Sequence, residues 1–246
     1  MQKPFKIGYL PLTKANWTNE TLEAARQNAK EYLQSLPGVE VVGGDRMIDL
    51  EDKAIRELEY FEQERPDLIV AHFMTFSLGV IVPMFVQRLK IPVVLWSMKE
   101  PDPNGGRLQS NSFCAANMNS HFMYRMHVPY FHVHAEVGSE PAKQELEKAI
   151  RVTRAVNTLN RMRVGLIGGR VPGFFTSSCD EMLLRTKIGP EVKFITEHEV
   201  IEAARSLKPE ELDAAMKIIL SDAEVHPTDG PNDEQLRKSA ALLAAV

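Results

Sequence analysis

The 246-residue chain is poor in cysteine and tryptophan, with two of each, and aromatics make up only 7% of it. Two cysteines, Cys114 and Cys179, form one disulfide at most, which excludes a disulfide framework and a four-cysteine zinc site. Long apolar runs are missing too. The longest, Phe73 to Val86, is broken by Thr75, Ser77 and Pro83 and falls short of the roughly 18 residues of a membrane helix. The first residues, MQKPFKIGYLPL, hold neither a long apolar segment nor a small-residue cleavage site. No secretory signal and no membrane partner are therefore expected, and the cytoplasm is the expected compartment. A basic excess is also lacking. Net charge is −4 overall, −1 over residues 1–160 and −3 over the remainder. Nucleic acid is thereby excluded as an expected partner.

What is present is an ordinary globular composition, 44% hydrophobic and 25% charged, in a chain long enough for a sizeable core. Short apolar runs at Phe5–Leu10, Val39–Gly43, Leu68–His72, Pro92–Trp96 and Tyr130–His134 alternate with helical patterns. Glu20–Leu36 carries Leu22, Ala25, Ala29 and Leu33 at helical spacing, with Thr18 or Asn19 able to cap it and Pro37-Gly38 to end it. Asp49–Glu64 repeats the pattern, with Ile55, Leu58 and Phe61 expected inward. Residues 139–162 read as one long helix. This alternation predicts an α/β fold, a doubly wound parallel sheet over residues 1–160.

A second α/β unit is expected over 161–246, starting with a strand at Arg163, then a helix near Asp180–Thr186, a strand at Val192–Ile195 and helices over 197–221. Two strands are too few for a stable doubly wound sheet. The final DEQLRKSAALLAAV is helical, without capping glycine or proline. The expectation is a chain ending on a helix or cut inside one, with its second domain incomplete.

Ligands of open parallel sheets bind where the loops converge at the carboxyl ends of the strands. Those loops are Tyr9–Asn19, Phe73–Leu78, Ser97–Asn111 and the stretch after His134. The third runs into a helix bearing Asn117, Asn119, Ser120 and His121, neutral groups that donate and accept, suited to hydroxyls. His132 and His134 share one face of a strand, and a structural pair is favoured over a metal site because no HExxH pattern accompanies them. The glycines of GLIGGRVPGF follow a strand, but their spacing is not GxGxxG and Pro172 removes a donor. A tight turn carrying Arg170 and Phe174 is the expectation. Two facing cysteines would be the acid and base of a cofactor-independent racemase, yet SFCAAN and SSCDEM lack the Cys-Asn-Thr turn of that class.

The segments AHFMTFSLG, PVVLWSMKEP, SFCAANMNSHFMYRMHVPYFHVHAE and RVGLIGGRVPGFFTSSCDEMLLRTKIGPEV resemble the N-terminal half of the L-fucose/L-arabinose isomerase family, from about Ile7 to the last residue. The resemblance implies a flavodoxin-like first domain, a second α/β domain, and an aldose–ketose isomerase with a divalent metal, usually manganese. There the metal polarises the oxygens at C1 and C2, and a carboxylate moves a proton between those carbons. It implies that the metal ligands lie in the C-terminal half, with none in this chain. It further implies a homo-oligomer whose sugar pocket is shared between subunits. His121 matches the substrate-contacting histidine, Asn117, Met118 and Asn119 the adjoining positions, Phe76 an aromatic wall, and Arg170 to Phe174 a turn facing the site. Met118 stands where arabinose isomerases have glutamine, which speaks against arabinose. A non-catalytic sugar-binding module, or a decayed copy, stays open as the alternative.

Overall fold

The computed structural model describes residues 4–15, 17–102, 106, 108–222 and 229–246. The chain divides into two compact units, 1–157 and 158–246. In the first, β1 (Phe5–Leu12), β2 (Val39–Val42), β3 (Leu68–Phe73), β4 (Val93–Ser97) and β5 (Tyr130–His134) alternate with α1 (Glu20–Ser35), α2 (Glu51–Glu64), α3 (Ile81–Leu89), α4 (Ser112–Arg125) and α5 (Glu140–Arg161). All strand pairs are parallel, in the order β2-β1-β3-β4-β5. The parallel doubly wound sheet is the one expected from the alternation, and its order is the flavodoxin-like one that the resemblance implies.

Local chemistry explains the elements. Asn19 caps α1, its Oδ1 accepting from Leu22 N at 2.9 Å. Gly38 takes the left-handed turn after α1 (φ +67°), leaving its carbonyl to accept from Arg154 on α5 at 2.8 Å. Helix α3 starts inside the apolar run that ends at Val86 and continues to Leu89. Pro83 fits because it stands in the first turn, where its missing N–H has no helical acceptor to lose.

Two apolar layers cover the sheet. Leu10, Leu12, Ile69 and Leu95 meet α2, α3 and α4 on one face, and Ile7, Tyr9, Val70 and Trp96 meet α1 and α5 on the other. Phe61 of α2 lies against Gly8, where a Cβ would come within 2.5 Å of its ring, and it packs edge-on to Phe85 at 5.5 Å. Ile55, expected inward, is 43% exposed; Ala54, Leu58 and Phe61 form the buried stripe instead. The helical period places Ile55 one step of about 100° round from Ala54, off that stripe.

On the second face His72 is fully buried. It stacks on Trp96 at 4.3 Å and shares a 3.0 Å hydrogen bond with the Tyr9 hydroxyl, while its Nε2 has no partner. Burial alone pushes its pKa down to about 3.

The second unit contains β6 (Arg163–Ile167), a 3-10 turn (Phe175–Ser177), α6 (Glu181–Lys187), β7 (Glu191–Ile195), α7 (Glu197–Arg205), α8 (Pro209–Asp222) and α9 (Asp233–Ala245). Its described sheet is the single parallel pair β6-β7. Thr196 with Glu199 and Asn232 with Gln235 form reciprocal caps on α7 and α9.

Candidate functional site

The carboxyl ends of β1, β3 and β4 are tied together by side chains. Thr13, just past β1, and Thr75, just past β3, are both buried and share a hydroxyl hydrogen bond of 2.9 Å. Thr75 Oγ1 also accepts from Lys14 N at 2.9 Å. After β4 the loop is folded around Glu100. Its carboxylate accepts from the backbone N–H groups of Gln109, Ser110 and Asn111 and from Ser110 Oγ at 2.7 Å. Burial works to raise the Glu100 pKa, but these four donors outweigh it and draw it down to about 2. Ser110 O in turn accepts from Phe76 N at 2.8 Å. Ser112, at the start of α4, donates to Phe73 O and accepts from Met98 N. The first turn of α4 is thereby fastened to two strand ends.

Between these loops and the start of α1 lies a cavity of about 680 Å³. Trp17, Asn19, Thr75, Leu108, Gln109 and Ser110 are among its lining residues, and no ionisable side chain lines it among the described residues. It belongs to the loops that the parallel-sheet rule singles out. Sequence reasoning named those loops without naming these residues; the signal it passed over was a tryptophan in the first of them.

Of the expected site residues, Phe76 and those of α4 belong to the first unit, Arg170 and Phe174 to the second. Helix α4 separates its own four: Asn117 and His121 are exposed, one turn apart, Met118 is half-buried, and Asn119 is buried. Asn119 donates from Nδ2 to Ala115 O at 2.9 Å, and its Oδ1 has no partner. Met118 and Phe122 close over Gly79. Phe76 is half-buried and packs on the core beside α3 and α4. Arg170 and Phe174 belong to the second unit, Arg170 over the Phe175 ring at 4.9 Å and Phe174 62% exposed.

His132 and His134 do share a strand face. Phe113 meets both rings edge-on, at 6.1 and 5.1 Å, and His134 Nδ1 lies 3.0 Å from Ser97 Oγ. Burial, and then the neighbouring His134, lower the pKa of His132. Cys114 and Cys179 are both free and exposed, in different units. Among the described residues no three His, Cys, Asp or Glu side chains converge as metal ligands would. No helix among the described residues is long and apolar enough to cross a membrane.

Topology and site together define a flavodoxin-like α/β domain with a loop-walled cavity at the carboxyl edge of its sheet. A family model for the fucose/sulfoquinovose isomerase N-terminal domain matches residues 8–160. The chain belongs to that sugar isomerase family. Relatives include the sulfoquinovose isomerases of Alkalicoccus urumqiensis, 29% identical over 87% of this chain and 48% of that protein, and of Priestia aryabhattai, 26% identical over 74% and 40%. The chain spans about half the length, or less, of the curated relatives it matches. A solute-binding protein from Actinobacillus succinogenes with bound D-allose covers 88% of the chain at 12% identity and a TM-score of 0.28, a likeness too low to carry an argument.

Proposed function

We propose that this chain is the N-terminal portion of a metal-dependent aldose–ketose isomerase and supplies the rim of its sugar pocket. The observation that carries this reading is the family match across residues 8–160, nearly the whole first unit. The relatives are sulfoquinovose isomerases, so hexoses of the fucose or sulfoquinovose kind are the proposed substrates.

In this reading the metal ligands and the carboxylate that moves the proton belong to polypeptide outside these residues. The chain's own contribution is orientation. Asn117 and His121, exposed one turn apart on α4, offer neutral donors and acceptors to sugar hydroxyls. Phe113 and Tyr124, 52% and 73% exposed on the same helix, support a neighbouring subunit packing there to close the pocket. The protein is proposed to act in the cytoplasm as a homo-oligomer.

The test is a titration of L-fucose, L-arabinose and sulfoquinovose against the wild type and His121→Ala. Weaker binding in the variant is expected, and unchanged affinity for a sugar that binds removes His121 from the rim. The 246-residue chain supplied with Mn²⁺ should not isomerise any of them. Measurable turnover would show that the metal ligands are in this chain after all.

A further inference from the structure

We infer that the cleft between the β2–α2 loop and one side of α2 is a binding site for a small ligand bearing a phosphate group. The inference goes beyond the isomerase reading and requires neither the metal nor His121. The cleft opens beside β2, one edge strand of the sheet, whereas α4 packs on β3, β4 and β5 toward the other edge.

Two segments supply the donors. Lys53, Arg56 and Tyr60 recur three and four residues apart on α2 and so share one side of the helix. Arg46 of the loop lines the same cavity, of about 280 Å³. Most of the charge here is already matched. Lys53 pairs with Asp49 at 2.6 Å, Arg56 with Asp52 at 2.7 Å, and Asp45 with Lys30 at 2.6 Å. Arg46 is the cation left over: it makes no hydrogen bond or ion pair among the described residues. The Tyr60 hydroxyl likewise has no hydrogen bond there. Arg56 gives only Nη2 to Asp52, which leaves further N–H groups to donate. Donors from several directions suit a tetrahedral oxyanion better than a carboxylate, which has two oxygens only.

Glu57 is the one carboxylate of the lining without a cation of its own. Its Oε1 accepts from Gly44 N at 3.2 Å, and burial raises its pKa. A bound anion would push the same way and favour the neutral carboxyl, which repels the ligand less.

The loop is also held in advance. Gly43 and Gly44 take left-handed turns (φ +73° and +72°) that bring the chain against Phe61 and Tyr9. Gly44 O accepts from Arg26 Nη1 at 2.5 Å. Two residues beyond Arg46, Ile48 N donates to Pro11 O at 2.9 Å and Ile48 O accepts from Thr13 N at 3.1 Å. Arg46 therefore stands on fixed backbone with an exposed, uncommitted side chain, and a ligand meeting it orders little chain. The small volume suits a phosphate with a few carbons.

The experiment titrates the 246-residue chain with glycerol 3-phosphate, inorganic phosphate, acetate and glycerol, read by calorimetry and backbone amide shifts. Both phosphates should bind saturably and shift the amides of Gly43, Gly44 and Arg46. Acetate should bind at least about tenfold more weakly, and glycerol not at all. Tighter binding of glycerol 3-phosphate than of inorganic phosphate identifies an ester as the ligand, and equal affinity the free ion. Arg46→Ala should weaken binding by about tenfold or more. Because Arg46 is exposed and unpaired, that variant tests the site without disturbing the fold. Glu57→Gln keeps an acceptor for Gly44 N–H and removes a negative charge, so it should bind phosphate more tightly. The inference is overturned by the absence of saturable phosphate binding, by acetate or glycerol binding equally well, by unaltered affinity in Arg46→Ala, or by weaker binding in Glu57→Gln. Amide shifts centred on α4 instead would also overturn it, and would place the anion at the proposed sugar rim. Each of these results leaves the family match, and the isomerase reading built on it, to be judged separately.

Discussion

The two sheets of this chain are made from the same kind of sequence and end in different states. In the first unit β3 and β4 are buried from end to end. In the second, every residue of β6 is exposed, and Phe194 of β7 is 57% exposed. Parallel strands need apolar cover on both faces. The first sheet has five strands and five helices to supply it. In the second unit α7 and α8 pack mainly on α9 and α6 lies against β7, and among the described residues the strand pair keeps much of its apolar side-chain surface exposed. Regular alternation is enough to form helices and strands. A core needs enough of them to face one another.

That contrast has measurable consequences. The largest concerns hydrogen exchange: amides of β3 and β4 should exchange about ten-thousandfold more slowly than those of β6 and β7, and equal protection would break the comparison. Next is packing. Phe61→Ala should cost roughly 3–5 kcal/mol in urea unfolding, whereas Phe194→Ala should cost less than about 1 kcal/mol.

Acid should act on the first unit through His72. Its folded pKa of about 3 lies below the value of about 6.5 in an unfolded chain. Between those values the unfolded chain takes up a proton that the folded one refuses. Stability is therefore lost as pH falls from about 6.5, by roughly 2 kcal/mol at pH 5. In His72→Phe this part of the slope should vanish, and a variant that keeps the full slope would clear His72 of responsibility. Smallest are the caps. Asn19→Ala in the first unit and Asn232→Ala in the second should each cost their own helix about 1 kcal/mol, read by exchange at α1 and α9. Here the two units should agree, because a cap is local.

Those caps mark the limit of what is legible along the chain. Asn19, the Pro37-Gly38 stop and the β5 boundaries follow from neighbours within a few residues, and the structure has them where the spacing predicts. Ile55 was misplaced because an apolar residue beside a stripe is separated from it only by the sheet that the stripe meets. The first two turns of helix α3, Ile81–Val86, are apolar on every side and so carry no period to read. At the candidate site, Asn117 and His121 share an exposed face of α4 while Asn119 turns inward, a division that helical spacing contains. The cavity was not legible. Trp17, Thr75 and Gln109 stand far apart in the chain, and only the convergence of three strand ends brings them to one opening.

By itself, then, the amino-acid order determined the alternation of strands and helices, the caps, the parallel doubly wound sheet and the family. These are short-range signals, repeated often enough to imply one topology. The tertiary structure alone decided that His72 is kept neutral between Tyr9 and Trp96, that Glu100 straps a loop into a wall, and that a cavity opens beside Trp17. Each depends on groups distant in sequence becoming neighbours, and on burial, which changes what a charge costs and what a hydrogen bond holds in place.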